Sequence, residues 1–149
     1  MVTRACISIN NRCNLNCTYC HFHEKKDYIQ EDNMDVITIL DIIASHIEDN
    51  DIDLFKFVGN GEPMLDYEKL KQYIAHIGDY LKSGRIAAYT ITNGLLVDRE
   101  KLEFFKEYNV NVGFSVDGVP AIHDKYRCGT HERVMANIAL YKEVQAKVH

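Results

Sequence analysis

No run of 18 or more apolar residues occurs in this 149-residue chain, so nothing in it has the length of a membrane-spanning helix. The first ten residues, MVTRACISIN, lack the continuous apolar core of a secretory leader. There is no low-complexity segment, no clear repeat and no Pro/Gly-rich linker; the chain has two prolines in all. Basic charge is scarce too: 17 Lys and Arg stand against 22 Asp and Glu, a formal net charge of −5. That balance argues against a broad surface for nucleic acid or anionic membrane. What is left is a chain of one-domain length and ordinary globular composition, 46% apolar and 26% charged. A cytoplasmic location is the expectation. In such a reducing compartment five cysteines do not form a disulfide framework, and clustered ones bind metal or do redox work.

The hydrophobic periodicity alternates along the chain. ACISIN (5–10), DLFKFVG (53–59), IAAYTIT (86–92) and VNVGFSV (110–116) read as strands rich in Ile, Phe and Val. Helical patterns lie between them, over 34–49, 66–83, 98–108 and 132–146. The first sets Val36, Ile39, Leu40, Ile43 and Ile47 on one stripe. Asp66 and Asp98 are candidate N-caps, and Gly84 closes the second helix. The order β-α-β-α-β-α-β-α predicts an α/β fold of parallel strands joined by right-handed crossovers. Periodicity alone leaves an open sheet and a barrel both available.

Each unusual stretch follows a strand. NNRCNLNCTYCHFH (10–23) follows the first, GNGEP (59–63) the second, TNG (92–94) the third, and SVDG (115–118) ends the fourth. Ligands of α/β folds bind at the carboxyl ends of parallel strands. The four motifs therefore predict one composite site, although each glycine in them could simply serve a turn of positive φ. The cysteine run supplies three thiols, Cys13, Cys17 and Cys20, where a closed metal site takes four ligands. A structural zinc completed by His21 or His23 is one reading. The other is an iron–sulfur cluster deliberately left open at one iron.

The spacing Cys13-x3-Cys17-x2-Cys20 after a first strand, with Tyr19 before the third cysteine, resembles the radical S-adenosylmethionine (SAM) superfamily. GNGEP resembles its Gly-Gly-Glu-Pro segment, with Asn60 where that segment has a glycine. SVDGVPAIHDKYR (115–127) with GTHERVMANIALYKE (129–143) resembles the branch of anaerobic sulfatase-maturing enzymes and radical SAM peptide maturases. The resemblance runs over essentially the whole chain. It implies a partial (β/α) barrel of which residues 1–149 are the first four βα units, in one domain. A complete eight-unit barrel takes about 250 residues, so the domain is expected to continue beyond these units.

The same resemblance implies two cofactors, a 4Fe–4S cluster on Cys13, Cys17 and Cys20, and SAM chelating its free iron. One-electron cleavage of SAM would give a 5′-deoxyadenosyl radical for hydrogen abstraction, from a peptide or protein side chain in this branch. An electron donor such as flavodoxin or ferredoxin is implied. Candidate SAM-binding residues are Gly59, Gly61 and Glu62 near the amino group, and Asn93, Ser115 and Asp117 at strand ends. Arg127 could pair with the SAM carboxylate through its planar fork, or with Asp124. Tyr19 and Phe22 would stack near the adenine or pack the loop. Cys6 reads as a buried strand residue and Cys128 as incidental. An uncovered fourth strand could pair with a second chain as a dimer.

Overall fold

A computed structural model describes residues 4–21, 35–49 and 52–146. The expectations for Phe22 and His23 lie outside the described residues. Four strands form a single sheet in chain order: β1 (Arg4–Ser8), β2 (Leu54–Val58), β3 (Ala87–Thr92) and β4 (Val110–Phe114). All three pairings are parallel, as the alternation requires. In register, Cys6 stands beside Lys56, Lys56 beside Tyr89, and Tyr89 beside Asn111.

Helices fill the connections. They are α1 (Val36–Glu48), α2 (Tyr67–His76), α3 (Gly78–Lys82), α4 (Arg99–Glu107), α5 (Pro120–Tyr126) and α6 (His131–Ala146). A 3-10 turn, Pro63–Asp66, precedes α2. The strands alternate in burial. Phe55, Phe57, Ala88, Thr90, Val110 and Val112 are buried, in one core with Leu40 and Ile47 of α1, Leu70 and Ile74 of α2, and Leu102 and Phe105 of α4. Each buried Val, Leu, Ile or Phe side chain among them contributes about 1.5–3 kcal/mol. The intervening positions, among them Cys6, Lys56, Tyr89 and Asn111, form the opposite, accessible face.

Three departures from the sequence reading have physical causes. The helix expected over 66–83 breaks at Ile77, beside Gly78, a weak helix former; a Cβ at Gly78 would lie 2.5 Å from the Tyr108 ring, which keeps the position glycine. Asp66 precedes α2 without capping it; its carboxylate accepts from Asn10 Nδ2 at 2.6 Å and Arg12 at 2.5 Å. The segment Pro120–Tyr126 is helical, started by proline at its first turn; seven residues are too few to show a periodic stripe. Asp98 caps α4 as expected, accepting from Lys101 N at 2.9 Å, and Gly84 ends α3 at φ +74°.

Candidate functional site at the strand ends

The cysteine loop is fastened first by backbone. Glu62 N donates to Arg12 O at 2.7 Å, and Ile9 N to Val58 O at 2.7 Å. This approach explains both glycines of GNGEP. A Cβ on Gly61 would lie 1.9 Å from Arg12 O, and one on Gly59 would lie 2.5 Å from Asn10 O. Neither has positive φ, unlike Gly94 and Gly118, so close contact, not turn geometry, selects glycine here. Asn60, where the resemblance implies glycine, is exposed and reaches Asn11 Oδ1 at 3.4 Å.

Glu62 is buried at 2% exposure and wholly engaged. Its Oε1 accepts from Thr92 Oγ1 at 2.6 Å and Met64 N at 3.1 Å, and its Oε2 accepts from Asn93 N at 2.7 Å. Burial pushes its carboxyl above the ordinary range, against the pull of those three donors. The side chain therefore ties the end of β2 to the end of β3. Asn93 faces the cysteine loop instead, donating to Asn14 Oδ1 at 2.7 Å and approaching Cys13 Sγ at 3.9 Å.

The far side of the loop is fastened from the fourth βα unit. Thr18 N donates to Tyr126 O at 3.0 Å. Asp117 Oδ2 accepts from Tyr19 Oη at 2.6 Å and from Arg127 Nε at 2.8 Å, and the guanidinium lies 5.4 Å over the Tyr19 ring. Burial works against the Asp117 charge, but these two donors prevail and hold its carboxyl below the usual range. Burial and the bond to Asp117 push the Tyr19 hydroxyl up to about 12. Arg127 thus pairs with Asp117 and not with Asp124, whose carboxylate caps α6 through His131 N at 2.8 Å.

Sequence reading passed over the group that braces this clamp. His123 is fully buried; Asp117 N donates to its Nδ1 at 3.3 Å, which leaves Nε2–H to meet Thr130 Oγ1 at 3.0 Å. Thr130 in turn donates to Arg127 O at 2.8 Å. The seven-residue spacing of a buried His and Thr gives no pattern to notice.

One cavity of about 350 Å3 gathers these motifs. Cys13, Cys17, Cys20, Tyr19, Gly59, Gly61, Glu62, Asn93, Ser115 and Arg127 all line it. Asp117 stands behind, reached through Tyr19 and Arg127. Cys6 is exposed on the accessible face, not buried, because its strand position points away from the helices. Cys128 is exposed beside Arg127 at φ +61°. A larger hollow of about 500 Å3, between Tyr67, Lys71, Glu100 and Phe104, lies on the helical side and contains no cysteine.

The donor set suits a cluster with three protein thiolates. Leu15 N lies 3.5 Å from Cys13 Sγ as a hydrogen-bond donor, and the Asn93 amide is a second; such N–H groups set the potentials of iron–sulfur centres. Burial raises the Cys17 thiol pKa, while the Arg127 guanidinium favours its thiolate. Among the described residues no three His, Cys, Asp or Glu side chains converge as they would on a single ion. A cubane bonds each thiolate to a different iron and needs no such convergence.

Known proteins resemble the chain at both levels. The sequence is 30% identical over 141 residues to the cysteine-type anaerobic sulfatase-maturating enzyme of Clostridium novyi, covering 88% of this chain and 38% of that protein. It is 31% identical over 123 residues to the serine-type enzyme of Bacteroides thetaiotaomicron, covering 77% and 29%. Among solved structures, native anSMEcpe with bound AdoMet superposes with a TM-score of 0.71 at 28% identity, over 99% of this chain and 43% of that one. The same protein with AdoMet and the Kp18Cys peptide gives 0.74 at 26% identity, over 99% and 42%. The chain thus spans about two fifths of the length of these relatives. The pattern of the Radical SAM superfamily matches residues 7–149. A parallel sheet with three loop cysteines and GNGEP at one rim agrees with that match, and this chain belongs to the radical SAM superfamily.

Proposed function

We propose that this chain is the cofactor-binding part of a radical SAM enzyme that modifies a peptide or protein side chain. The observation that carries the proposal is the single cavity lined by Cys13, Cys17 and Cys20 together with the ends of β2, β3 and β4. The three thiols would hold a 4Fe–4S cluster. Held there, a reduced cluster would supply the one electron that cleaves the S–C5′ bond of SAM into methionine and a hydrogen-abstracting 5′-deoxyadenosyl radical.

The protein's own residues position and shield. Gly59 and Gly61 let the β2 loop lie against Asn10 and Arg12, and backbone of this loop would meet the SAM amino group. Glu62 fixes that loop to Thr92 and Asn93 and acts through it rather than by contact. Ser115 lines the cavity at the end of β4 and would take the methionyl carboxylate. Arg127 would join it while retaining its Asp117 partner. Tyr19 lies beside the cavity with its ring under that guanidinium.

A peptide substrate is supported by the maturase relatives and by the peptide bound to anSMEcpe. An electron donor of the flavodoxin or ferredoxin kind would reduce the cluster. Holding a cluster on three thiols would call for a reducing compartment. Among the described residues β4 is an edge strand, and a second copy pairing along it would make a dimer.

The test is anaerobic reconstitution with iron and sulfide, then SAM and dithionite. The proposal expects a brown protein with about four iron and four sulfide per chain, and formation of 5′-deoxyadenosine. A colourless protein that holds zinc tightly and yields no 5′-deoxyadenosine would overturn it.

A further inference from the structure

The accessible face of the sheet differs in charge from the rest of the chain. Its alternate strand positions carry two cations, Arg4 and Lys56, and no acid, whereas the whole chain has five more acids than bases. Lys56 sits in the middle of β2, inside the sheet, where lysine is disfavoured. It lines the cavity of the three cysteines. Its ammonium lies 5.6 Å from the centre of the Tyr89 ring. No carboxylate among the described residues pairs with it; the ion pairs given for those residues use other bases. Arg127, the other cation lining the cavity, is already matched by Asp117.

We infer that Lys56 is a carboxylate-binding point on the inner face of the sheet, opening into the cysteine cavity. Tyr89 stands beside it in register and adds a neutral donor. One positive charge with a neutral donor beside it suits a singly charged carboxylate; a phosphate would call for several cations. Two carboxylates could enter this cavity: that of SAM, and that of an acidic residue in a peptide substrate, which must share the space to be within reach of a radical. The inference rests on the function proposed above.

The test uses the whole chain, wild type, Lys56→Met and Lys56→Arg, with folding checked by circular dichroism. In one arm, Ac-Gly-Glu-Gly-NH2 and Ac-Gly-Gln-Gly-NH2 are titrated against the 15N-labelled protein without cluster, reading the Lys56 and Tyr89 amides. In the other, SAM affinity of the reconstituted protein is measured. A peptide carboxylate predicts about tenfold tighter binding of the Glu peptide, lost in Lys56→Met, kept in Lys56→Arg, with SAM affinity unchanged. A SAM carboxylate predicts about tenfold weaker SAM binding in Lys56→Met, restored in Lys56→Arg, and no preference between peptides. Equal peptide affinities together with unchanged SAM affinity would overturn the inference. If the wild type takes up no cluster but still prefers the Glu peptide, the proposed function fails and the carboxylate site stands.

Discussion

The Tyr19 hydroxyl donates to Asp117 at 2.6 Å, a bond between residues 98 positions apart that holds the cysteine loop to the fourth βα unit. Both groups are partly open to water, so the bond is worth about 0.5–1 kcal/mol. A double-mutant cycle of Tyr19→Phe and Asp117→Ala should return a coupling of that size. Hydrogen exchange at the Thr18 amide, which donates to Tyr126 O, should quicken in both variants. Zero coupling with unchanged exchange would show that the loop is held by its glycine side alone.

The five cysteines should fall into two classes. Alanine at Cys13, Cys17 or Cys20, which line the cavity, should abolish the iron–sulfur absorbance after reconstitution. Alanine at Cys6 or Cys128, both exposed, should leave iron and sulfide content unchanged. Retention of the chromophore in Cys17→Ala together with its loss in Cys128→Ala would reassign the ligands.

Two glycine substitutions separate contact from conformation. In Gly61→Ala the new methyl meets the Arg12 carbonyl, and backbone cannot yield as a flexible side chain can. The expected loss is about 1–3 kcal/mol, with impaired cluster retention. Gly84→Ala meets nothing within 4 Å but sits at φ +74°, and should cost about 1 kcal/mol while leaving cluster content intact. Equal cluster loss in both variants, measured as iron per chain beside the denaturant midpoint, would refute the distinction.

Much of this architecture was legible because strands and helices write different periods into sequence. The stripe of Leu40 and Ile47 and the alternation around Phe55 and Phe57 announce buried faces directly. The cysteine spacing and the strand-end glycines were legible for a similar reason: short-range chemistry leaves short-range patterns. The need for glycine at 78 was not legible, since it comes from the Tyr108 ring, 30 positions away. Nor was the accessible side of Cys6, because a short apolar strand does not say which face meets helices. The partner of Arg127 depended on where α5 turns, and Asp117 and Asp124 are equally plausible in sequence.

Tyr67 allows a test by pH. Its hydroxyl oxygen is buried with no hydrogen-bond partner among the described residues. Burial, and then the charges of Glu100, Asp98 and Glu68, push its pKa from 10.0 up to about 12. The folded state therefore keeps this proton longer than the unfolded chain. Its contribution to stability is complete below pH 10 and is lost as pH rises from there through about 12. Tyr67→Phe should remove a tyrosinate absorbance step near pH 12 and flatten the loss of stability over that window. At neutral pH it should leave the melting temperature equal or higher, because an unpaired hydroxyl goes. A clear fall in melting temperature at neutral pH would show that the hydroxyl has a partner after all.

The loop that carries the thiols has two walls made at different times. Its glycine wall is complete once Glu62 has been added, but the clamp needs Asp117, Tyr126 and Arg127. At about 5–20 residues per second the ribosome takes several seconds to cover that gap. A chain halted in that interval has the residues of the inner wall and lacks those of the outer one. If the three thiols hold a cluster, such a half-made chain would be the easier form to load with iron and sulfide, with α5 closing over it afterwards. Chains stalled after β3 should take up iron faster than the finished protein, and equal rates would mean that the clamp opens freely.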